Sequence, residues 1–210
     1  MLDFLQGMFS SLGRKYVMAA TGFLLGVFLV IHAAGNSLVF RGKAALNAYA
    51  EQLHSSGGAL IPSAEFFLLI IFLTHILFGI SLILKNREAT GRRYTVKSSA
   101  GGATWGSRTM PWTGLFLLTF LPLHLGNVRF IDHSLPVADV VERTLAHPLS
   151  TLFYLVAITA LTLHTSHGFR SLVQSWGVNH PRYNGLIRVG ACFSAALICA
   201  VFFGVVAVFR

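Results

Sequence analysis

The chain has 210 residues, 54% of them hydrophobic and only 11% charged, with a formal net charge of +9. That balance is far from the globular norm and excludes an ordinary soluble domain. Nucleic-acid binding is excluded as well, because the basic residues come with no stacking platform and no basic helix; a membrane protein whose positive charge gathers on one side accounts for both numbers.

In chain order, Leu2, Leu5, Phe9 and Leu12 recur at near-helical spacing, which fits a short helix lying in the membrane interface or, equally, an irregular tail. Arg14 and Lys15 follow it and lead straight into a full apolar segment, so no cleavable signal peptide is expected and the N-terminus is retained. A span needs about 20 mostly apolar residues to cross a hydrocarbon core of roughly 30 Å. Five segments qualify, at about 16–40, 61–84, 110–128, 149–173 and 186–209, the third being the shortest. Lipid offers no hydrogen-bond partners, so each span is predicted to be a helix. The chain reads as an all-α integral membrane protein forming one membrane domain over residues 1–210.

The connections set the orientation. With the N-terminus inside, eleven of the sixteen Lys and Arg residues fall on that side: Arg14, Lys15, Lys85, Arg87, Arg92, Arg93, Lys97, Arg108, Arg170, Arg182 and Arg188. Arg41, Lys43, Arg129, Arg143 and Arg210 fall outside, which predicts a cytoplasmic N-terminus and an external C-terminus. The inner loop "KNREATGRRYTVKSSAGGATWGSR" (85–108) is long, basic and rich in Gly and Ser, suited either to docking a partner or to being a solvated positive-inside loop. His54, His133, His147 and His180 fall in or beside connections, as solvated residues. Cys192 and Cys199, seven apart on the last span, are expected to face the same way and to pack. They are too few for an iron–sulfur cluster, and no C-x-x-C-H occurs for covalent haem attachment.

An internal repeat links the spans. "TGFLLGVFLVIH" (21–32) and "TGLFLLTFLPLH" (113–124) align without gaps and agree at Thr-Gly, at three apolar positions and at the final His. The second and fourth spans share His-x-x-x-Gly in "HILFG" (75–79) and "HTSHG" (164–168). The chain therefore reads as two parallel copies of a helix pair followed by a fifth helix. At 1.5 Å per residue from the cytoplasmic ends, His32 and His124 lie at roughly 24 and 21 Å, and His75 and His164 at roughly 14 Å. Four histidines thus form two layers.

A lone histidine in a span is as readily a hydrogen-bonded residue that holds helices together. Matched pairs point elsewhere. Imidazole is a neutral iron ligand, and a six-coordinate haem takes one from each side of its plane, supplied by facing helices. Zinc or non-haem iron would need three or four ligands converging at one depth. The reading is a four-helix bundle holding two haems b, with His32 and His124 on the outer iron and His75 and His164 on the inner. Gly79 and Gly168, one turn past their histidines, are expected to leave room for the macrocycle. His167 would lie about 4.5 Å below His164 and is expected beside the ligand or at the membrane edge. Haem propionates need cationic or hydrogen-bonding partners, and Lys15 and Arg108 are placed for the inner haem, Arg129 for the outer.

The segments "IHAAGNSLVFRGKAALNAYAE", "LTHILFG", "LPLHLGN" and "LTLHTSHGFRSLVQSWGVNHPRYN" resemble, over nearly the whole chain, the diheme cytochrome b anchor of menaquinone-linked succinate dehydrogenase and fumarate reductase. The resemblance implies one haem ligand on each of the first four helices. It also implies partners: a flavoprotein subunit that interconverts succinate and fumarate, and an iron–sulfur subunit, both on the cytoplasmic side. Electrons would be exchanged with menaquinone in the cytoplasmic membrane of a bacterium. The chain itself carries no flavin motif or cluster ligands. Where some members carry a glutamate two residues before the fourth ligand, linked to transmembrane proton movement, this chain has Thr162, which argues against that route here. Certain fumarate reductases use a glutamate at the quinone site; Glu51, in "NAYAEQLHS" with His54 three residues on, is its counterpart by this resemblance. Two other readings use the same residues: a proton-coupled or metal transporter with a histidine-lined path, and a structural anchor without cofactor. Against the transporter, no carboxylate lies deep in a span, Glu65 being near the outer end of the second.

Overall fold

The computed structural model describes residues 7, 9–56, 58–90, 105–130 and 135–210. Seven α-helices and one 3₁₀ turn account for nearly all of them: α1 (Ser11–Ser37), the 3₁₀ turn Leu38–Arg41, α2 (Lys43–Ser56), α3 (Leu60–Thr90), α4 (Trp105–Val128), α5 (Val137–Ala146), α6 (Pro148–Ser175) and α7 (Pro181–Val208). Most of the 85–108 loop, with Arg92, Arg93 and Lys97, lies outside the described residues, as do Leu2, Leu5 and His133. Of the N-terminal apolar stretch, Phe9 stacks on Phe78 of α3 at 5.7 Å.

Local chemistry sets the helix ends. Ser10 caps α1, its Oγ accepting from the Gly13 N–H at 3.0 Å. The last two helices begin alike, with Pro in the first turn, where its missing N–H costs nothing. His147 Nδ1 accepts from the Leu149 N–H at 3.3 Å and His180 Nδ1 from the Arg182 N–H at 3.2 Å. These two histidines, expected only as solvated loop residues, are helix caps. After the 3₁₀ turn the chain reverses at Gly42, whose φ of 108° suits glycine.

Four segments are long and apolar enough to cross a membrane: Ser11–Arg41, Leu60–Asn86, Pro148–Ser175 and Pro181–Val208. The fifth long helix, α4, has 24 residues, a length of about 36 Å. Pro111, Pro122, His124 and Asn127 dilute its apolar character, which is why it falls outside that group. All five long helices begin before the apolar limits that hydropathy sets, and α3 runs on to Thr90, whereas α1 gives way to the 3₁₀ turn after Ser37.

Helix α6 packs against α4, α1 and α7, while α1 also packs against α3 and α7. Small residues sit at these contacts: Ala19 and Ala33 of α1, Ala157 and Ala160 of α6, and Ala191 and Ala195 of α7 are buried. They let backbones approach closely, the usual basis of helix association in lipid. Large apolar side chains point outward instead, and only 6% of the apolar window of α3 is buried. A tighter cluster closes one end, where Val39, Leu46, Ala138, Leu145, Cys199, Val206 and Phe209 meet. There α2 and α5 pack together, with Asn47 Oδ1 accepting from the Ala138 N–H at 2.9 Å and Lys43 paired to Glu142 at 2.6 Å. Cys199 belongs to this cluster, whereas Cys192 is exposed, so the two cysteines do not share the packing role expected of them.

Helix α2 is held to α1 through Gly35. A Cβ there would come within 2.8 Å of Tyr49 Cε1 and 3.1 Å of its Oη. Gly35→Val is therefore expected to lower the thermal unfolding midpoint in detergent, at a cost of about 1–3 kcal/mol for overpacking. An unchanged midpoint would show that Tyr49 can move aside freely.

Candidate functional site

Four of the five long helices each contribute one histidine, and the rings meet in two pairs. His32 of α1 and His124 of α4 have ring centroids 6.1 Å apart and nearly perpendicular planes, at 85°. His75 of α3 and His164 of α6 lie 6.4 Å apart at 66°. All four are half-buried. The rings brought together are those that the helical rise puts at equal height, and each pair joins one residue from each copy of the repeat.

The repeat also furnishes the surroundings. Phe28 stacks on His32 at 5.4 Å, and its counterpart Phe120 stacks on His124 at 5.3 Å. Each phenylalanine sits one helical turn before its histidine, where side chains four apart share a face. His124 Nδ1 is 3.3 Å from Tyr154 Oη. The Thr-Gly ends of the repeat meet the other pair. Thr21 Oγ1 is 3.1 Å from His75 Nδ1, and Thr113 Oγ1 is 3.2 Å from His164 Nδ1. A Cβ on Gly22 would stand 3.5 Å from His75 Cε1, and one on Gly114 3.4 Å from His164 Cε1. Sequence comparison marks Thr-Gly as repeated without showing that it touches the histidines of the neighbouring helix.

The glycines expected to make room do not both do so. A Cβ on Gly79 would meet the Met18 side chain at 3.6 Å, while Gly168 faces open space. The glycines against the rings are Gly22 and Gly114, because the neighbouring helix, and not the histidine's own, approaches the imidazole.

His167 turns to a different neighbour from His164: its ring lies against Gly106 at the start of α4, where a Cβ would come within 2.6 Å of Nδ1. Near this end Arg14 donates to Ser81 Oγ at 2.7 Å, and Arg170 Nε is buried without a hydrogen-bond partner among the described residues. Lys15 and Arg108 are exposed. Arg129 instead forms a two-point pair with Glu65, Nε to Oε1 at 2.7 Å and Nη2 to Oε2 at 3.1 Å. Neutral spacing arguments had no means of pairing residues 64 apart in sequence. Glu51 and His54 lie on α2, one turn apart and both exposed. Thr162 donates to the Ile158 carbonyl at 2.8 Å, and its side chain also meets the Cys199 thiol of α7.

Among the described residues no three or more of His, Cys, Asp and Glu gather as a metal-ligand cluster. Each donor set is a pair of imidazole rings supplied by two helices. Such a pair fits the two axial positions of an iron whose other ligands come from a macrocycle, and it is too small for a tetrahedral zinc site. With ring centres 6.1 and 6.4 Å apart, His32 with His124 and His75 with His164 would each hold one metal atom between them.

Long apolar helices crossing back and forth make this a multi-pass helical membrane protein. Residues 85–207, more than half the chain, match the family described as "Succinate dehydrogenase/Fumarate reductase transmembrane subunit", and the chain belongs to that family of membrane subunits of an enzyme complex. No curated protein and no solved structure matches the chain. The matched region contains His124 and His164; the repeat relates them to His32 and His75.

Proposed function

We propose that the chain is a diheme cytochrome b that anchors a succinate:quinone oxidoreductase and passes electrons between its iron–sulfur subunit and menaquinone. The observation that carries this reading is the pairing of His32 with His124 and of His75 with His164, ring centres 6.1 and 6.4 Å apart, from equivalent positions of a repeat. In this reading all five long helices span the bilayer as one domain, α4 included, with the N-terminus cytoplasmic. Its basic inner side meets the flavoprotein and iron–sulfur subunits. When bound, the haems supply two one-electron carriers stacked across the membrane.

The protein's own groups do the rest. His75 and His164 hold the inner iron and His32 and His124 the outer, each pair drawn from two helices so that packing of the bundle fixes their separation. Phe28 and Phe120 keep the outer rings from rotating. Lys15 and Arg108 would pair with propionates of the inner haem and Arg129 with those of the outer, its guanidinium already held by Glu65. Glu51, with His54, exchanges protons with a quinone at the outer edge, on the exposed face that a lipid-borne molecule can reach.

Two measurements test these assignments. Adding a menaquinol analogue to the purified complex should develop the Soret and α bands of reduced b haem; a histidine-lined transporter or a cofactor-free anchor would show no such bands. Lys15→Met and Arg108→Met, if these cations pair with propionates, should each lower the midpoint potential of one haem and leave the other unchanged. A uniform shift, or none, would assign them to anchoring helix ends.

A further inference from the structure

We infer that Thr21 and Thr113 are positioning residues that fix the tautomer and orientation of His75 and His164, so that each presents a bare Nε2 to the iron. The inference rests on the haem reading above. A threonine hydroxyl has one hydrogen to donate and lone pairs to accept with. Thr21 Oγ1 lies 2.8 Å from the Val17 carbonyl and 3.2 Å from that of Met18; Thr113 Oγ1 lies 3.1 Å from the Thr109 carbonyl and 3.2 Å from that of Met110. Those carbonyls are acceptors only, so they can take the hydroxyl hydrogen and leave the oxygen free to accept. With Nε2 given to iron, the ring proton sits on Nδ1, and the contact with the imidazole, 3.1 Å for His75 and 3.2 Å for His164, is one in which Nδ1–H donates to the threonine oxygen. A neutral imidazole with its proton on Nδ1 leaves Nε2 with the lone pair that binds iron.

Burial makes the choice costly to reverse. Thr21 and Thr113 are both 8% exposed, two of three buried polar residues among the described ones. Neither water nor lipid is at hand to replace the acceptor, and an unpaired Nδ1–H would bear its full desolvation cost. The adjoining glycines lie against the same rings, a Cβ on Gly22 of α1 standing 3.5 Å from His75 Cε1 and one on Gly114 of α4 3.4 Å from His164 Cε1. The arrangement occurs twice, once within each copy of the repeat: α1 holds the histidine of α3, and α4 holds that of α6. This explains why Thr-Gly is repeated along with the histidines. The outer pair is built differently, with Tyr154 at His124 and phenylalanine stacking at both rings.

An imidazole that donates to an acceptor is a stronger base toward its metal, and loss of such a partner typically weakens metal binding by roughly 10- to 100-fold. Thr21→Val and Thr113→Val, measured in the intact complex, should raise the midpoint potential of one haem, the inner, and speed its loss to a haem-scavenging apoprotein. The outer haem should keep its wild-type values. Thr21→Ser and Thr113→Ser, which retain the hydroxyl, should restore both properties. Wild-type potentials and retention in the valine variants would overturn the inference while leaving the two-haem reading intact, whereas a wild-type complex without haem would overturn that reading itself. Should the valine variants fail to assemble, the serine variants decide: assembly with wild-type potentials assigns the role to the hydroxyl, and failure of serine as well assigns it to methyl packing and sinks the proposal.

Discussion

His164→Ala is expected to remove one haem from each complex, and His167→Ala to leave both. The two residues are three apart on α6 and so share roughly the same side of the helix, but their neighbours differ. The His164 ring faces His75 at 6.4 Å, with Thr113 at its Nδ1. The His167 ring is pressed against Gly106, below that pair. Alanine at 164 leaves one imidazole where the iron needs two, and His75 alone cannot hold a six-coordinate haem. Pyridine haemochrome titration reads the number directly: one haem in His164→Ala and two in His167→Ala. The reverse result would break both the repeat alignment and the pairing by depth. His32→Ala should act on the other haem, so the spectra of the His32 and His164 variants should differ and together account for the wild-type bands.

Glu51→Gln is expected to keep both haems and the dye-linked activity of the soluble subunits while lowering turnover with menaquinone analogues by on the order of 100-fold or more, the scale of a lost proton-exchanging group. Quinone reduction consumes two protons and quinol oxidation releases them, so the site needs a titrating side chain within reach of a quinone oxygen. Helix α2 follows the helix that carries His32 by one 3₁₀ turn, and Tyr49 docks it against Gly35, close to one turn beyond that histidine. Glu51 sits two residues past Tyr49, hence on the opposite face, exposed, with exposed His54 one turn further on. That face is exposed and turned away from Gly35, where on the proposed reading a lipid-borne quinone would reach it. Normal quinone turnover in Glu51→Gln would remove this residue from the mechanism and turn attention to Glu65 and Arg129 near the outer pair.

Much of this was legible in the sequence because lipid imposes a simple rule: an apolar run of sufficient length is a helix. The heights of the four histidines followed from the constant helical rise, and the repeat tied them into pairs. Rotation about each helix axis is what sequence spacing does not supply. For that reason Gly79 looked like room for a macrocycle yet faces Met18, and Thr21 and Thr113 looked like markers of a repeat yet touch His75 and His164. Helix α5 escaped notice because its ten residues mix polar and apolar types and are too few to stand out beside the spans. The Arg129–Glu65 pair joins chain segments that only the tertiary fold brings together.

The central claim is that this chain holds two irons, each between two of its own histidines. Haem b measured against protein in the purified complex tests it most directly. Two haems per copy of this chain are predicted; none, or a single haem that survives both His32→Ala and His164→Ala, would contradict it.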